Sequence, residues 1–350
     1  MEVLFALFLL AASFYLLAVI TEEFFVPSID AIAQRLKMGS DAAGATLLAM
    51  GSSAPEFFTA FFAITGLAGS GHGDVGAGTI VGSAIFNVLV IVGASAMFRA
   101  VKLQWQPVIR DQIFYSITII MLLVAFMDGK IVLYEAIVFV LMYIVYVFTV
   151  IHWRKILNYE DIQATVDVEK KDRNALNAFT HRVLSLLIPD STKRPKLMAL
   201  SFTLCILAIA GLSWLLVNRV VFIADVFNIN ATFLALTVLA AGTSLPDLIG
   251  SIVVAKQGRG DMAVSNAIGS NIFDILFCLG FPWLLVIALK GEAITVGTEN
   301  LFASVLLLFA TVVSLLFMLI IRNWKIGHKA GLLLIGLYVA YAIYTIVTVA

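Results

Sequence analysis

Charge is scarce in this sequence. Asp, Glu, Lys and Arg make up 13% of its 350 residues, about half the share in a soluble domain, too few to cover a folded surface with solvated groups. The formal net charge is zero, so there is no basic footprint for a nucleic acid. Cysteine is reduced to Cys205 and Cys278, both inside apolar runs. They read as small core residues rather than as a disulfide or a metal-binding pair. Proline occurs seven times, so one that interrupts an apolar run stands out.

Apolar residues fill the space that charge leaves: 62% of the chain, with a mean hydropathy of +1.05. Runs of about 20 apolar residues recur along it, the length needed to cross a bilayer as a helix. A spanning chain must satisfy its own backbone hydrogen bonds. The runs are continuous rather than alternating, which favours helices over barrel strands. The expected fold is all-α, a polytopic membrane protein of ten transmembrane helices at roughly 3–21, 41–65, 76–98, 113–127, 131–152, 197–219, 231–255, 263–288, 299–321 and 329–349. The first run follows Glu2 with no Lys or Arg before it, so it reads as a retained span rather than a cleaved signal. Residues 153–196 form a charged linker with one amphipathic helix, too small for a regulatory domain. The chain thus divides into a first membrane repeat (1–152), a cytoplasmic loop (153–196) and a second membrane repeat (197–350). With that loop inside, nineteen of the 22 basic residues fall on its side, and Lys130, Arg219 and Lys290 fall opposite, as the positive-inside rule asks. Both termini are expected outside.

The two halves repeat one pattern. "GATLLAMGSSAPE" (44–56) matches "ALTVLAAGTSLPD" (235–247), and "GDVGAGTIVGSAIFN" (73–87) matches "GDMAVSNAIGSNIFD" (260–274). The offset drops from 191 to 187 because the first copy has four extra residues in its turn "GLAGSGHGD". An odd number of spans separates the copies, so the halves are inverted, an arrangement that places a site near the bilayer midplane where the repeats meet.

Each first motif sets a proline one residue before an acid. Pro55 and Pro246 cannot donate to the carbonyls of Gly51 and Gly242, which frees backbone oxygens one turn before Glu56 and Asp247. Ser52, Ser53, Thr243 and Ser244 add hydroxyls, with Ser52 expected on the face of Glu56 and Thr243 on that of Asp247. Two half-cages of hard oxygen, crossed antiparallel, would close one cage. Calcium accepts six to eight oxygens in irregular geometry, whereas magnesium holds its water. No His or Cys lies near either motif in the sequence, which disfavours zinc, copper and iron. Asp274 adds a third acid where the first repeat has Asn87, and Ser83 and Ser270 share those faces. A cage of formal charge −3 needs a proton on Asp274 or a monovalent cation beside calcium.

Other residues have structural readings. Gly78 and Gly82 form a GxxxG for close helix packing. Asp74 and Asp261 sit at span starts, where acids cap helices. Glu22, Glu23 and Asp30 read as solvated near the first inside loop, His72 as exposed, and the phenylalanines as lipid-facing bulk.

With these residues in place, "GSSAPEFF…GTIVGSAIFN" and "GTSLPDLIGSIVVAKQGRGDMAVSNAIGSNIFD" resemble the two repeats of the calcium/cation antiporter superfamily, most closely the potassium-dependent sodium/calcium exchangers. The resemblance implies a secondary antiporter, not an enzyme, with no cofactor. Calcium would bind at Glu56 and Asp247. Sodium would take overlapping sites of Ser52, Ser53, Ser83, Thr243, Ser244 and Ser270, with the backbones of Ala49 and Ala240. Potassium dependence is associated with an acid at the position of Asp274. The implied partners are small cations and the lipid bilayer, with no nucleic acid, and the implied location is a plasma (inner) membrane. Homo-oligomerisation stays open, as does exchange of protons rather than sodium for calcium. A remoter reading, an intramembrane aspartyl protease, would use the G-x-G-D strings at Asp74 and Asp261.

Overall fold

The computed structural model describes residues 2–28, 32, 49–67, 73–98, 101–156, 175–190, 197–256 and 260–349. His72, Asp30 and the start of the second expected span lie outside the described residues, as does the side chain of Asp261. Among the described residues, eight helices are long and apolar enough to cross a membrane by length and composition: Glu2–Ser28, Gly73–Phe98, Trp105–Ala125, Leu133–Trp153, Met198–Phe227, Ala263–Lys290, Leu301–Ile321 and His328–Val347. They correspond to expected spans 1, 3, 4, 5, 6, 8, 9 and 10. Spans 2 and 7 are interrupted helices. The described part of span 2 is Ala49–Ser52 followed by Ala54–Thr65; span 7 holds Ala240–Thr243 followed by Leu245–Lys256.

Two short strand pairs fix which loops share an end of the bundle. β1 (Val101–Lys102) pairs antiparallel with β4 (Lys325–Ile326), so the loop after span 3 meets the loop between spans 9 and 10. β2 (Lys130–Ile131) pairs with β3 (Ile294–Thr295), so the loop between spans 4 and 5 meets that between spans 8 and 9. The Asp74 carboxylate, at the start of span 3, accepts from the Gly297 amide at 2.6 Å and marks the same end. It staples one repeat to a loop of the other, a role different from the expected helix cap. Span 3 therefore runs away from the β2–β3 end and span 8 towards it. Span 4 opposes span 9 by the same reasoning, and span 5 opposes span 10, so the repeats are inverted.

Two expectations about charge need correction. Span 4 was expected to be short and to begin after Arg110 and Asp111, but it is a 21-residue helix that contains both. Arg110 Nε and Nη2 donate to Asp111 Oδ1 and Oδ2 at 2.7 and 3.0 Å, and Tyr146 donates to Oδ1 at 3.2 Å. A bidentate neutral pair can enter the helix where a lone charge cannot. Glu22 and Glu23 are not solvated either. The first helix continues through them as a π-helical turn, Thr21–Phe25, and His181 Nε2 stands 3.7 Å from Glu23 Oε2, with side-chain exposures of 11% and 7%. His181 belongs to the amphipathic loop helix Ala175–Leu187. The Tyr15 hydroxyl donates to Asn177 Oδ1 of that helix at 2.9 Å and accepts from Thr180 Oγ1 at 3.1 Å, and the His181 ring stacks on Phe24.

The apolar interior has two parts. One gathers residues of spans 3, 4, 5, 8, 9 and 10. The other is dominated by spans 1 and 6, with Phe14, Leu17, Leu216 and Val220 among its buried members. Span 3 is buried almost all round, and its glycines allow the contact that requires. A Cβ at Gly78 would press on Ala235 at 3.2 Å, and one at Gly82 would strike the Leu236 carbonyl and Ala240. The GxxxG thus packs span 3 against span 7.

Candidate ion-binding site

The site begins with two backbone breaks of nearly equal geometry. Ser53 ends the first helical piece of span 2 at φ −86°, ψ 11°, and Ser244 does so in span 7 at φ −84°, ψ 2°. In each, the serine amide still donates four residues back, to Ala49 O at 3.0 Å and to Ala240 O at 3.2 Å. The following 12-residue helix starts at once, with Pro55 or Pro246 in its opening turn, where proline's missing N–H costs nothing. Glu56 and Asp247 fall in those first turns, where the helix dipole favours a negative charge. The repeated Pro–acid spacing therefore places two carboxylates at two fresh helix N-termini inside the bundle.

All three acids are buried: Glu56 and Asp274 have no exposure and Asp247 has 4%. They lie close enough to repel one another. Glu56 Oε1 accepts from Ser244 Oγ at 3.1 Å, and Ser244 Oγ is 2.7 Å from Ser83 Oγ. A hydroxyl has one proton. Ser244 spends its own on Glu56, so Ser83 donates in the 2.7 Å contact. Both oxygens of Asp247, Glu56 Oε2, Asp274 Oδ2, Ser53 Oγ and Asn87 Oδ1 are buried with no hydrogen-bond partner. The Ser52 hydroxyl faces Asp247, and that of Ser53 faces Asp274, both short of bonding geometry. Helical backbone bonds cross the break, from Ser53 N to Ala49 O and from Phe57 N to Ser53 O, and the Ser52 proton goes to Ala49 O.

The carbonyls of Ala49 and Ala240 are each engaged twice. Ser52 Oγ donates to Ala49 O at 3.3 Å and Thr243 Oγ1 to Ala240 O at 3.2 Å, besides the two serine amides. A cation using these carbonyls must displace a hydroxyl proton. Asn87 donates to Ser270 Oγ at 3.4 Å and to Asn271 Oδ1 at 2.9 Å, and Ser270 donates to Ala267 O at 3.2 Å. The expected ion ligands Ser52, Ser53, Glu56, Ser83, Asn87, Thr243, Ser244, Asp247, Ser270 and Asp274 are all buried, as are Ala49 and Ala240. Among the described residues, no three His, Cys, Asp or Glu side chains gather tightly enough to hold a metal by themselves, so neutral oxygens have to complete any shell.

Several participants were not foreseen. Asn87 and Asp274 each open a π-helical turn, Asn87–Ile91 and Asp274–Leu279, a distortion common at functional sites. The expectation that no cysteine lies near the motifs is corrected: Cys278 Sγ donates to Asp274 Oδ1 at 3.6 Å, because four residues along a π turn return to nearly the same face. The phenylalanines are not all lipid-facing. Phe57, beside Glu56, stacks on Phe277 at 5.9 Å between centroids, and Phe277 stacks on Phe273 and Phe281 at 5.2 and 5.3 Å. These rings wall the cage with apolar surface. Asn271 of the second motif also takes part, with its Nδ2 donating at 2.9 Å to the hydroxyl of Tyr115 in span 4. The protease reading loses its geometry, since Asp74 and Asp261 begin helices at opposite ends of the bundle.

A family model described as sodium/calcium exchanger protein matches residues 5–152 and 197–347. Sodium/potassium/calcium exchanger 4 of Homo sapiens is 27% identical, over 95% of this chain and 79% of its own length. Sodium/potassium/calcium exchanger 2 of Gallus gallus is 27% identical, over 95% of this chain and 75% of its own. Among solved structures, the sodium-calcium exchanger NCX_Mj aligns with a TM-score of 0.62 at 22% identity, covering 99% of both chains. The H+/Ca2+ exchanger CAX aligns with a TM-score of 0.71 at 16% identity, covering 97% of this chain and 82% of its own. At these identities the two structures establish a shared fold.

Proposed function

The chain belongs to the sodium/calcium exchanger protein family, and from that membership we propose that it exchanges sodium for calcium across a plasma (inner) membrane by alternating access, with calcium held between Glu56 and Asp247. The observation that carries this reading is the contact between the repeats. Ser244, from the break in span 7, donates to Glu56, from the break in span 2, so the two half-cages face one space. The orphaned oxygens of Asp247, Glu56 and Asp274 fit a cation. A buried carboxylate with no partner costs several kcal/mol, and a cation held between Glu56 and Asp247, with neutral oxygens completing its shell, offsets that cost.

Exchange follows from competition. Calcium requires two carboxylates and several neutral oxygens. Sodium ions entering at Ser52, Ser53, Ser83, Thr243, Ser244 and Ser270, with the Ala49 and Ala240 carbonyls, use the same oxygens and expel it. Asp274 supplies the third charge, and a potassium ion beside it would balance the cage; the relatives named for sodium, potassium and calcium support that assignment. Spans 1 and 6, packed in their own apolar cluster, are the elements that slide past the cage. Phe14 of span 1 lies against Gly242, where a Cβ would strike its ring, so the sliding surface touches the motif directly.

The test is calcium-45 uptake by proteoliposomes loaded with sodium, with the pH gradient collapsed. Uptake that depends on the outward sodium gradient is expected. Uptake that needs a proton gradient and ignores sodium would replace this reading with proton/calcium exchange.

A further inference from the structure

Asn87 holds a fully buried side-chain oxygen that no protein group uses, while both hydrogens of its amide are committed to the second repeat. An amide can present either end to a neighbour, so something must decide which end Asn87 turns to the cage. Asn87 lies one helical turn after Ser83, which reaches Glu56 through Ser244, and in the cation-free carrier a carboxylate there would attract the NH2 end. An amide turned that way would repel the incoming ion.

The deciding group is one residue removed. Asn271 Nδ2 lies 3.1 Å from the backbone carbonyl of Ala84 and 2.9 Å from the Tyr115 hydroxyl. A backbone carbonyl can only accept, so the nitrogen of Asn271 must face Ala84. Its two hydrogens are then spent on Ala84 and Tyr115. Its oxygen is left facing Asn87 and can only accept, so Asn87 must present its nitrogen there. Polarity thus passes from a fixed backbone acceptor through Asn271 to Asn87. Asn271 occupies, in the second repeat, the place that Ala84 holds in the first, so the device exists once per molecule.

We propose that Asn271 and Tyr115 are positioning residues that lock the Asn87 amide with its oxygen available to the transported cation. Neither touches the ion. This rests on the reading of Glu56, Asp247 and Asp274 as a cation cage. The relay keeps Asn87 from folding onto the carboxylates each time the carrier empties, so its loss weakens cation binding and leaves the maximal rate intact.

A double-mutant cycle in proteoliposomes containing the full chain tests this, reading the half-saturating calcium concentration for sodium-driven exchange. Asn271→Ala should raise it about tenfold, the scale for losing a group that orients a ligand, with the maximal rate unchanged. In an Asn87→Ala background, which has no amide to orient, the same substitution should add less than about twofold. Tyr115→Phe keeps the ring and removes one acceptor, and should raise half-saturation about threefold; it takes the place of Asn271→Ala in the cycle if that variant does not fold. Effects that multiply to about a hundredfold in the double variant would show independent packing roles and overturn the relay, as would an Asn271→Ala protein with unchanged half-saturation. Wild-type protein without sodium-driven exchange would instead overturn the proposed function.

Discussion

Glu56 and Asp247 sit at the same place in two inverted copies of one motif, yet their surroundings differ. Glu56 accepts a hydrogen bond from Ser244, which is itself backed by Ser83, whereas both Asp247 oxygens lack a hydrogen-bond partner. The backbones do not cause this, since the breaks at Ser53 and Ser244 agree within 9° in both angles. The difference lies in the side chains at matched positions: Asn87 against Asp274, Ala84 against Asn271, Ile91 against Cys278. Symmetric backbone supplies the cage and its two helix N-termini. Asymmetric side chains give it an odd negative charge and a fixed amide polarity. With asparagine at both of the positions of Asn87 and Asp274 the cage would carry a formal charge of −2, matched to calcium alone, with no requirement for a further monovalent ion.

The largest effect should be shared by both halves. Glu56→Gln and Asp247→Asn should each lower calcium uptake by on the order of a hundredfold or more, because ligand charge dominates calcium affinity. If only one of them matters, the cage is not formed from both repeats. Next comes the asymmetric acid. Asp274→Asn makes the second motif match Asn87, and should abolish any potassium stimulation while lowering exchange about tenfold. Potassium stimulation that survives would place the monovalent ion elsewhere. Thermal unfolding without calcium or sodium then separates the halves. Asp247→Asn removes an unpartnered buried charge and should stabilise the protein by roughly 1–3 kcal/mol, more than Glu56→Gln, which also weakens the hydrogen bond from Ser244 by making its acceptor neutral. Equal shifts would mean that the two carboxylates share one environment. The smallest effect belongs to Ser83→Ala, which removes the proton that Ser244 accepts. It should cost about 1 kcal/mol, read as a few-fold rise in half-saturating sodium.

Much of this was legible in the sequence because repetition turns ambiguous signals into specific ones. One Pro–acid pair in an apolar run can be a kink; two in register, with hydroxyls alongside, implied the paired breaks at Ser53 and Ser244. Alternating loop charge implied the inversion that β1–β4 and β2–β3 display. Legibility failed wherever a side chain is neutralised by a partner that hydropathy cannot see. Arg110 and Asp111 read as loop because each is charged alone, but their bidentate pairing carries them into span 4. Glu23 read as solvated because His181 lies 158 residues away and reaches it only in the fold. The π turns at Asn87 and Asp274 have no local signature, and Cys278 was passed over because it lies beyond the motif although it falls four residues after Asp274, on the same face. Asn271 was visible inside "GSNIFD", but its use depends on the Ala84 carbonyl of the opposite repeat.

The central claim is that one cation is held jointly by both repeats. Calorimetric titration of purified protein with calcium, in sodium-free buffer, measures that most directly. A stoichiometry of one calcium per chain is expected, lost with either Glu56→Gln or Asp247→Asn. Two calcium ions per chain, each removed by a different substitution, would show two separate sites and contradict the shared cage.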